Sequence, residues 1–139
     1  MSLRYLLDTN VISEPLRAVP DPAVLEKLRL NEDSLATSAI TWHELWFGCW
    51  RLPDSTRRTA IETYLLEVIA PAMPILPYEE GAAAWHAAER SRLAAQGRTP
   101  PFADGQIAAI AHRHGLILVT FNTADYRGFQ DILLEDWRS

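Results

Sequence analysis

The sequence predicts a single α/β domain in which a parallel β-sheet is covered by helices on both faces. Three observations carry this expectation. The strand candidates are short, continuously apolar runs such as Tyr5-Leu6-Leu7 and Leu116-Ile117-Leu118-Val119, as expected where both faces of a strand are hidden. These runs alternate with segments of helical length and periodicity, the pattern of β-α-β units. A chain of 139 residues suffices for one well-buried core and falls short of two, and no repeat or linker-like stretch divides residues 1–139.

Taken in order, the first strand, Tyr5 to Leu7, ends on an acid, Asp8, and a short helix is expected from Asn10 to Leu16. Asp21-Pro22 marks a helix start, with Asp as N-cap, Pro in the first turn, and Val24, Leu25 and Leu28 as the apolar stripe. A second strand follows at Ser34 to Thr37. Thr41 to Arg51 reads as a helix halted by Pro53, and Asp54-Ser55 caps another. In that helix Ile61, Tyr64, Leu65, Val68 and Ile69 recur at helical spacing until Pro71. Met73 to Leu76 is a short strand interrupted by Pro74, and Tyr78 to Gln96 is an Ala-rich helix closed by Gly97. Beyond the stiff loop Arg98-Thr99-Pro100-Pro101 come a helix from Asp104 to His114, stopped by Gly115, a strand at Leu116 to Thr120, and a last strand near Ile132 to Leu134.

Thirteen basic against 18 acidic side chains give a formal charge of −5, which disfavours nucleic-acid binding through a broad basic surface. Lys27 is the sole lysine, however, and the remaining basic residues are arginines, the side chain suited to bidentate phosphate contacts. A single cysteine, Cys49, cannot form an internal disulfide, and no Cys/His spacing reads as a zinc site. A reducing cytoplasm is the expected compartment. Asp8 ends the first apolar run far short of a signal core or a membrane span, so neither is expected.

In an open parallel sheet, ligands bind beyond the carboxyl ends of the strands. Asp8 follows the first strand, Thr120 ends the fourth, and Asn122 and Asp125 come just after it. Glu44 lies early in the helix after the second strand, and Asp104 opens the helix before the fourth. Each acid also has a purely structural reading: a turn at Asp8, a Thr41/Glu44 capping box, an N-cap at Asp104, and a cap for a final turn at Asn122 to Asp125. As a set, Asp8, Glu44, Asp104 and Asp125 would repel one another at one sheet edge. The usual resolution is a hard, oxygen-preferring cation such as Mg²⁺ or Mn²⁺. Other chemistries lack their parts. There is no Gly-rich phosphate loop, and Asn10 stands where a haloacid-dehalogenase-type phosphatase needs a second Asp. Lys27 is misplaced for a phospho-accepting receiver, Cys49 has no evident base, and His43, His86, His112 and His114 show no ligand pattern.

Four segments resemble the PIN-domain ribonucleases: Leu6-Leu7-Asp8-Thr9-Asn10-Val11; Ile40-Thr41-Trp42-His43-Glu44-Leu45 with Gly48; Asp104-Gly105-Gln106-Ile107-Ala108-Ala109-Ile110-Ala111; and Leu118-Val119-Thr120-Phe121-Asn122-Thr123-Ala124-Asp125-Tyr126. Within that family the chain is most similar to VapC toxins, particularly the FitB-like branch, in which Val11-Ile12-Ser13-Glu14-Pro15 is a typical continuation. The resemblance implies a three-layer α/β/α fold on a five-stranded parallel sheet. It also implies an endoribonuclease that hydrolyses RNA with metal-activated water, using one or two Mg²⁺ or Mn²⁺ ions. By position, Asp8, Glu44 and Asp104 match the core acids and Asp125 the more variable fourth. Thr120 and Asn122 match the supporting polar pair, and Thr9 and Asn10 flank the first acid. The expected partners are an RNA substrate, a small VapB-type antitoxin, a second copy of the chain, and operator DNA through the antitoxin only, with no membrane.

Three positions depart from the pattern. Gly105 stands where Ala is common, Phe121 where Arg is common, and Tyr126 where Phe is frequent. Arg98, in the loop before Asp104, is a candidate phosphate contact whose alternative role is ordinary loop solvation. Trp42, Trp46 and Trp50 form an i, i+4, i+8 stripe pointing away from Glu44. Core packing accounts for the stripe, although three tryptophans are hard to bury in so small a domain, and part of it is expected to meet another subunit or the antitoxin. Two alternatives to the toxin ribonuclease stay open from sequence: a non-catalytic PIN module that binds RNA or protein, and another metal-dependent phosphoryl-transfer enzyme.

Overall fold

The computed structural model describes residues 2–139. Five parallel strands, β1 (Tyr5–Leu7), β2 (Leu35–Ser38), β3 (Ile75–Leu76), β4 (Ile117–Val119) and β5 (Leu133–Glu135), lie in the order β3-β2-β1-β4-β5. The helices are α1 (Thr9–Ser13), α2 (Pro22–Leu30), α3 (Ala39–Trp50), α4 (Thr56–Tyr64), α5 (Ala70–Ala72), α6 (Glu80–Ala95), α7 (Phe102–His114) and α8 (Thr123–Tyr126). The chain builds outward from β1 through β2 to β3, then crosses to the other side of β1 to lay down β4. The order of winding therefore reverses between β1 and β4, where such sheets open a crevice.

Alternate residues of one strand serve opposite layers. Leu6, Ala36 and Leu118 face a core with Ala82 and Leu93 of α6 and Ile107, Ala108, Ile110 and Ala111 of α7. Tyr5, Leu7, Leu35 and Val119 face the other core, with Val11 and Ile12 of α1, Val24 of α2, Leu45 of α3, and Leu65 and Ile69 after α4. The result is a three-layer α/β/α sandwich whose central strands are buried on both sides.

Several boundaries differ from the sequence expectation for physical reasons. The helix expected from Asn10 to Leu16 divides into α1 and a 3₁₀ turn, Glu14–Leu16; Pro15 has no N–H to continue an α-helical ladder. The helix expected to stop at Pro71 continues through a π turn, Leu65–Ile69, into α5, with Pro71 in the first turn where a missing N–H costs little. Thr41 does not begin α3. Ser38 caps it by accepting from Thr41 N, which frees Glu44 from a capping box for another partner. Likewise α7 starts at Phe102, so Asp104 lies inside its first turn and is not the N-cap. Gly115, at φ 63°, ends that helix in the left-handed conformation glycine adopts without strain.

Candidate active site

Parallel pairing of Leu7 with Val119 sets the next residues, Asp8 and Thr120, side by side at the β1/β4 crevice, with Asp8 N donating to Val119 O at 2.9 Å. Asp8 is buried. Its Oδ2 accepts from Thr120 Oγ1 at 2.8 Å and its Oδ1 from Thr9 N at 2.8 Å, so both oxygens are held. Asn122 contributes through its backbone: its N–H donates to Thr120 Oγ1 at 3.1 Å, which orients the hydroxyl toward Asp8. Glu44, in the second turn of α3, is reached from α1 by Thr9 Oγ1, which donates to Glu44 Oε2 at 2.7 Å. Thr9 thus touches two of the acids, one through its backbone and one through its hydroxyl. Asn10 is exposed and lines the same groove as Thr9 and Glu44.

Asp104 enters from α7 and Asp125 from α8. Tyr126, the residue after Asp125, is buried with its hydroxyl 3.3 Å from Asp8 Oδ2 and 3.4 Å from Asp104 Oδ1. The sequence marks this position only as a Tyr in place of Phe, so its hydroxyl is a site group that motif matching passed over. Burial, followed by the charges of Asp8 and Asp104, pushes the phenol well above its ordinary range, so it remains a donor to the acids at any physiological pH. Asp104 is pushed up to about 6, first by burial, then by the charges of Asp8 and Asp125 and to a lesser extent Glu44, while Tyr126's hydrogen bond works in the opposite direction. Each of the other three acids is therefore close enough for Asp104 to feel it.

The other two departures also have structural explanations. At Gly105 a Cβ would collide with the His86 ring, so a buried histidine takes the space an alanine methyl would fill. His86 Nδ1 lies 2.9 Å from Tyr78 Oη, and burial together with Arg90 keeps the ring's pKa below its ordinary value. Phe121, where an Arg is common, carries Arg138 stacked on its ring at 4.7 Å, and Arg138 Nη2 donates to Phe121 O at 3.0 Å. A guanidinium thus stands beside this position even though the side chain there is aromatic. Arg98 is not drawn to the acids; it lies over Gly128, where a Cβ would collide with its guanidinium. The Trp stripe divides as well: Trp42 and Trp46 pack half-buried against the second core, and Trp50 is 50% exposed.

Among the described residues, no ion pair neutralises Asp8, Glu44, Asp104 or Asp125. No three His, Cys, Asp or Glu side chains are drawn together tightly enough to form a finished metal cage. The donor set is entirely oxygen and carries excess negative charge, which fits a hard divalent cation and does not fit zinc or copper.

The family profile of the PIN domain matches residues 5–129. The chain belongs to the PIN-domain family. This PIN domain is 37% identical over 135 residues to the toxin FitB of Neisseria gonorrhoeae, covering 95% of this chain and 97% of that protein. To the VapC ribonuclease Y4jK of Sinorhizobium fredii it is 35% identical over 135 residues, covering 95% and 96%. A solved structure of FitAB bound to an IR36 DNA fragment superimposes on the PIN domain with a TM-score of 0.87 at 34% identity, covering 97% of this chain and 96% of that one. No described helix of the PIN domain is long and apolar enough to cross a membrane.

Proposed function

We propose that the protein is a Mg²⁺- or Mn²⁺-dependent endoribonuclease and the toxin of a type II toxin-antitoxin pair. The observation that carries this reading is the linkage of Asp8 to Asp104 through the Tyr126 hydroxyl and of Asp8 to Glu44 through Thr9 at the β1/β4 crevice, with none of these acids in an ion pair among the described residues. Similarity to a VapC ribonuclease supports the choice of RNA as substrate, and similarity to a toxin solved with its partner on DNA supports the antitoxin.

Asp8 and Asp104 would hold one or two divalent ions, with Glu44 and Asp125 completing the acidic set. When bound, such an ion supplies charge neutralisation at the phosphodiester and an acidified water. The protein's part is positioning. Thr120 and the Thr9 N–H fix the two oxygens of Asp8, the Thr9 hydroxyl fixes Glu44, and Asn122 N fixes Thr120. Tyr126 spans Asp8 and Asp104 with a proton donor, easing the repulsion between them and setting their separation. Because α1, α3, α7 and α8 each bring one part, the constellation forms only in the folded domain.

The partners on this reading are a VapB-type antitoxin, a second copy of the chain with Trp50 in the partner-facing surface, and operator DNA reached through the antitoxin. The deciding experiment is RNA cleavage by the purified chain with Mg²⁺ or Mn²⁺, lost in EDTA and in Asp8→Asn. RNA that is bound yet stays intact with every metal would make the protein a non-catalytic binding module. Turnover of small phosphate esters without RNA cleavage would make it another phosphoryl-transfer enzyme. A Trp50→Ala chain that still dimerises and binds antitoxin normally would remove Trp50 from the partner surface.

A further inference from the structure

A depression of about 480 Å³ lies between the C-terminal half of α6, the loop after it and the start of α7, with Arg90, Ser91, Arg98, Thr99 and Phe102 in its walls. Phe102 is 51% exposed, and the Arg90 guanidinium lies 5.1 Å from the centre of its ring. Among the described residues neither Arg90 nor Arg98 is in an ion pair, whereas Arg17, Arg29, Arg92, Arg113 and Arg138 are. Neither guanidinium at this depression is neutralised by a carboxylate, although Arg90 lies on the Phe102 ring and Arg98 over Gly128. None of the four acids lines the depression; they connect to it along the chain. Asp104 follows Phe102 by two residues on α7, and Gly128, over which Arg98 lies, comes three residues after Asp125. Arg92 secures that edge by donating to Gly128 O at 2.8 Å. Pro101 offers no side-chain cap to α7.

We propose that this depression grips a backbone phosphate of the bound RNA strand away from the scissile bond, with Arg90 and Arg98 as its two clamps. The inference rests on the ribonuclease reading and deepens it. The acids bear the negative charge and take the phosphate being cut only through a cation, so a separate cationic seat is needed to hold the strand against their repulsion. Paired guanidiniums suit a phosphate geometrically as well as by charge, and the exposed Phe102 face offers a neighbouring base an apolar contact. Gly128 has a role here: a side chain at that position would push Arg98 from its place.

The experiment measures KM and kcat for a single-stranded RNA with Mg²⁺, together with equilibrium binding of the same RNA in EDTA across a salt series. Both are carried out for the unsubstituted chain, Arg90→Gln, Arg98→Gln, and Arg29→Gln as a remote control. Each depression variant should raise KM and Kd about tenfold with kcat little changed, the size expected for one charge-assisted phosphate contact. Each should also lower the slope of log Kd against log salt by about 0.7, one phosphate of a single strand. Arg29→Gln should move neither quantity. Cleavage with unaltered KM, Kd and salt slope in both variants overturns the grip and leaves the ribonuclease reading in place. So does loss of dimer in both variants by sedimentation with RNA affinity unchanged, since the face would then be a subunit contact. If the unsubstituted chain binds RNA with the predicted arginine and salt dependence but never cuts it, the ribonuclease reading fails and the grip stands.

Discussion

Two sets of carboxylates in this domain are treated differently. Glu14 is 1% exposed and Glu89 7% exposed, yet each has its own arginine and a backbone donor. Arg17 Nη1 and Asp21 N reach Glu14 at 3.1 and 2.9 Å, and Arg92 closes on Glu89 with two bonds of 2.9 Å while Gln130 N adds a third. The Arg92 hydrogen bonds hold Glu89 below its ordinary pKa. Asp8, Glu44 and Asp104 receive hydroxyls and one backbone N–H instead, and Asp104 is pushed up to about 6. A fold able to neutralise a buried acid does so at Glu14 and Glu89 and leaves the crevice acids, of which only Asp8 is buried, without an ion pair among the described residues. That contrast separates acids that hold the structure from acids that await a cation.

The largest effect that tests the contrast is catalytic. Asp8→Asn or Asp104→Asn should lower RNA cleavage by at least about 1,000-fold, or about 4 kcal/mol in the transition state. Asp104→Asn should also raise the melting temperature at pH 7, because it removes a charge that its neighbours oppose. Substantial activity in either variant would break the distinction. Glu89→Gln should do the reverse, costing about 2 kcal/mol of stability by denaturant titration as Arg92 loses its charged partner, while kcat changes little.

A subtler prediction concerns packing behind the crevice acids, which have no ion pair to anchor them. Gly105→Ala should cost about 1.5 kcal/mol, because its methyl meets His86 one residue after Asp104. His86→Ala in the same chain should recover part of that loss. If the two substitutions simply add, His86 is not what keeps position 105 free of a side chain.

The backbone that carries the site was largely legible because parallel strands hidden on both faces have a simple signature. The sequence pattern marks Tyr5 to Leu7 and Leu116 to Thr120 as strands, with Asp8 just after the first and Thr120 at the end of the second, and the second is one residue shorter at each end in the fold. What pairs with what was less accessible. Thr9 meets Glu44 across 35 residues, and Tyr126 meets Asp8 across 118; local patterns carry no information at those separations. Thr41 and Glu44 satisfy the spacing of a capping box, yet Ser38 caps α3, because β2 delivers Ser38 in extended conformation directly to the helix start. The π turn at Leu65–Ile69 was hidden for a related reason: apolar residues at helical spacing look alike whether the ladder closes at four residues or five.

The smallest effect is the pH dependence of stability, and it separates the two kinds of acid by sign. Asp104 has an ordinary value of 3.8 and a folded value of about 6. Between these the folded chain keeps a proton that the unfolded chain has released, so its stability falls as pH rises through that window, and the full penalty applies above it. Asp104 is only half-buried and solvent screens the repulsion, which brings the expected loss to about 1 kcal/mol. Glu89, held below its ordinary 4.5, contributes in the opposite sense: its stabilisation is present above that value and fades as pH falls. Melting curves of Glu89→Gln should therefore expose the downward slope due to Asp104 more clearly than those of the unsubstituted chain. Mn²⁺ should remove that slope, since a cation among the acids favours their ionised forms. The rise in melting temperature on adding Mn²⁺ should accordingly be larger at pH 7 than at pH 5, and should shrink in Asp104→Asn. An equal rise at both pH values, undiminished in Asp104→Asn, would place the ion elsewhere and leave the uncompensated acids without the role assigned to them.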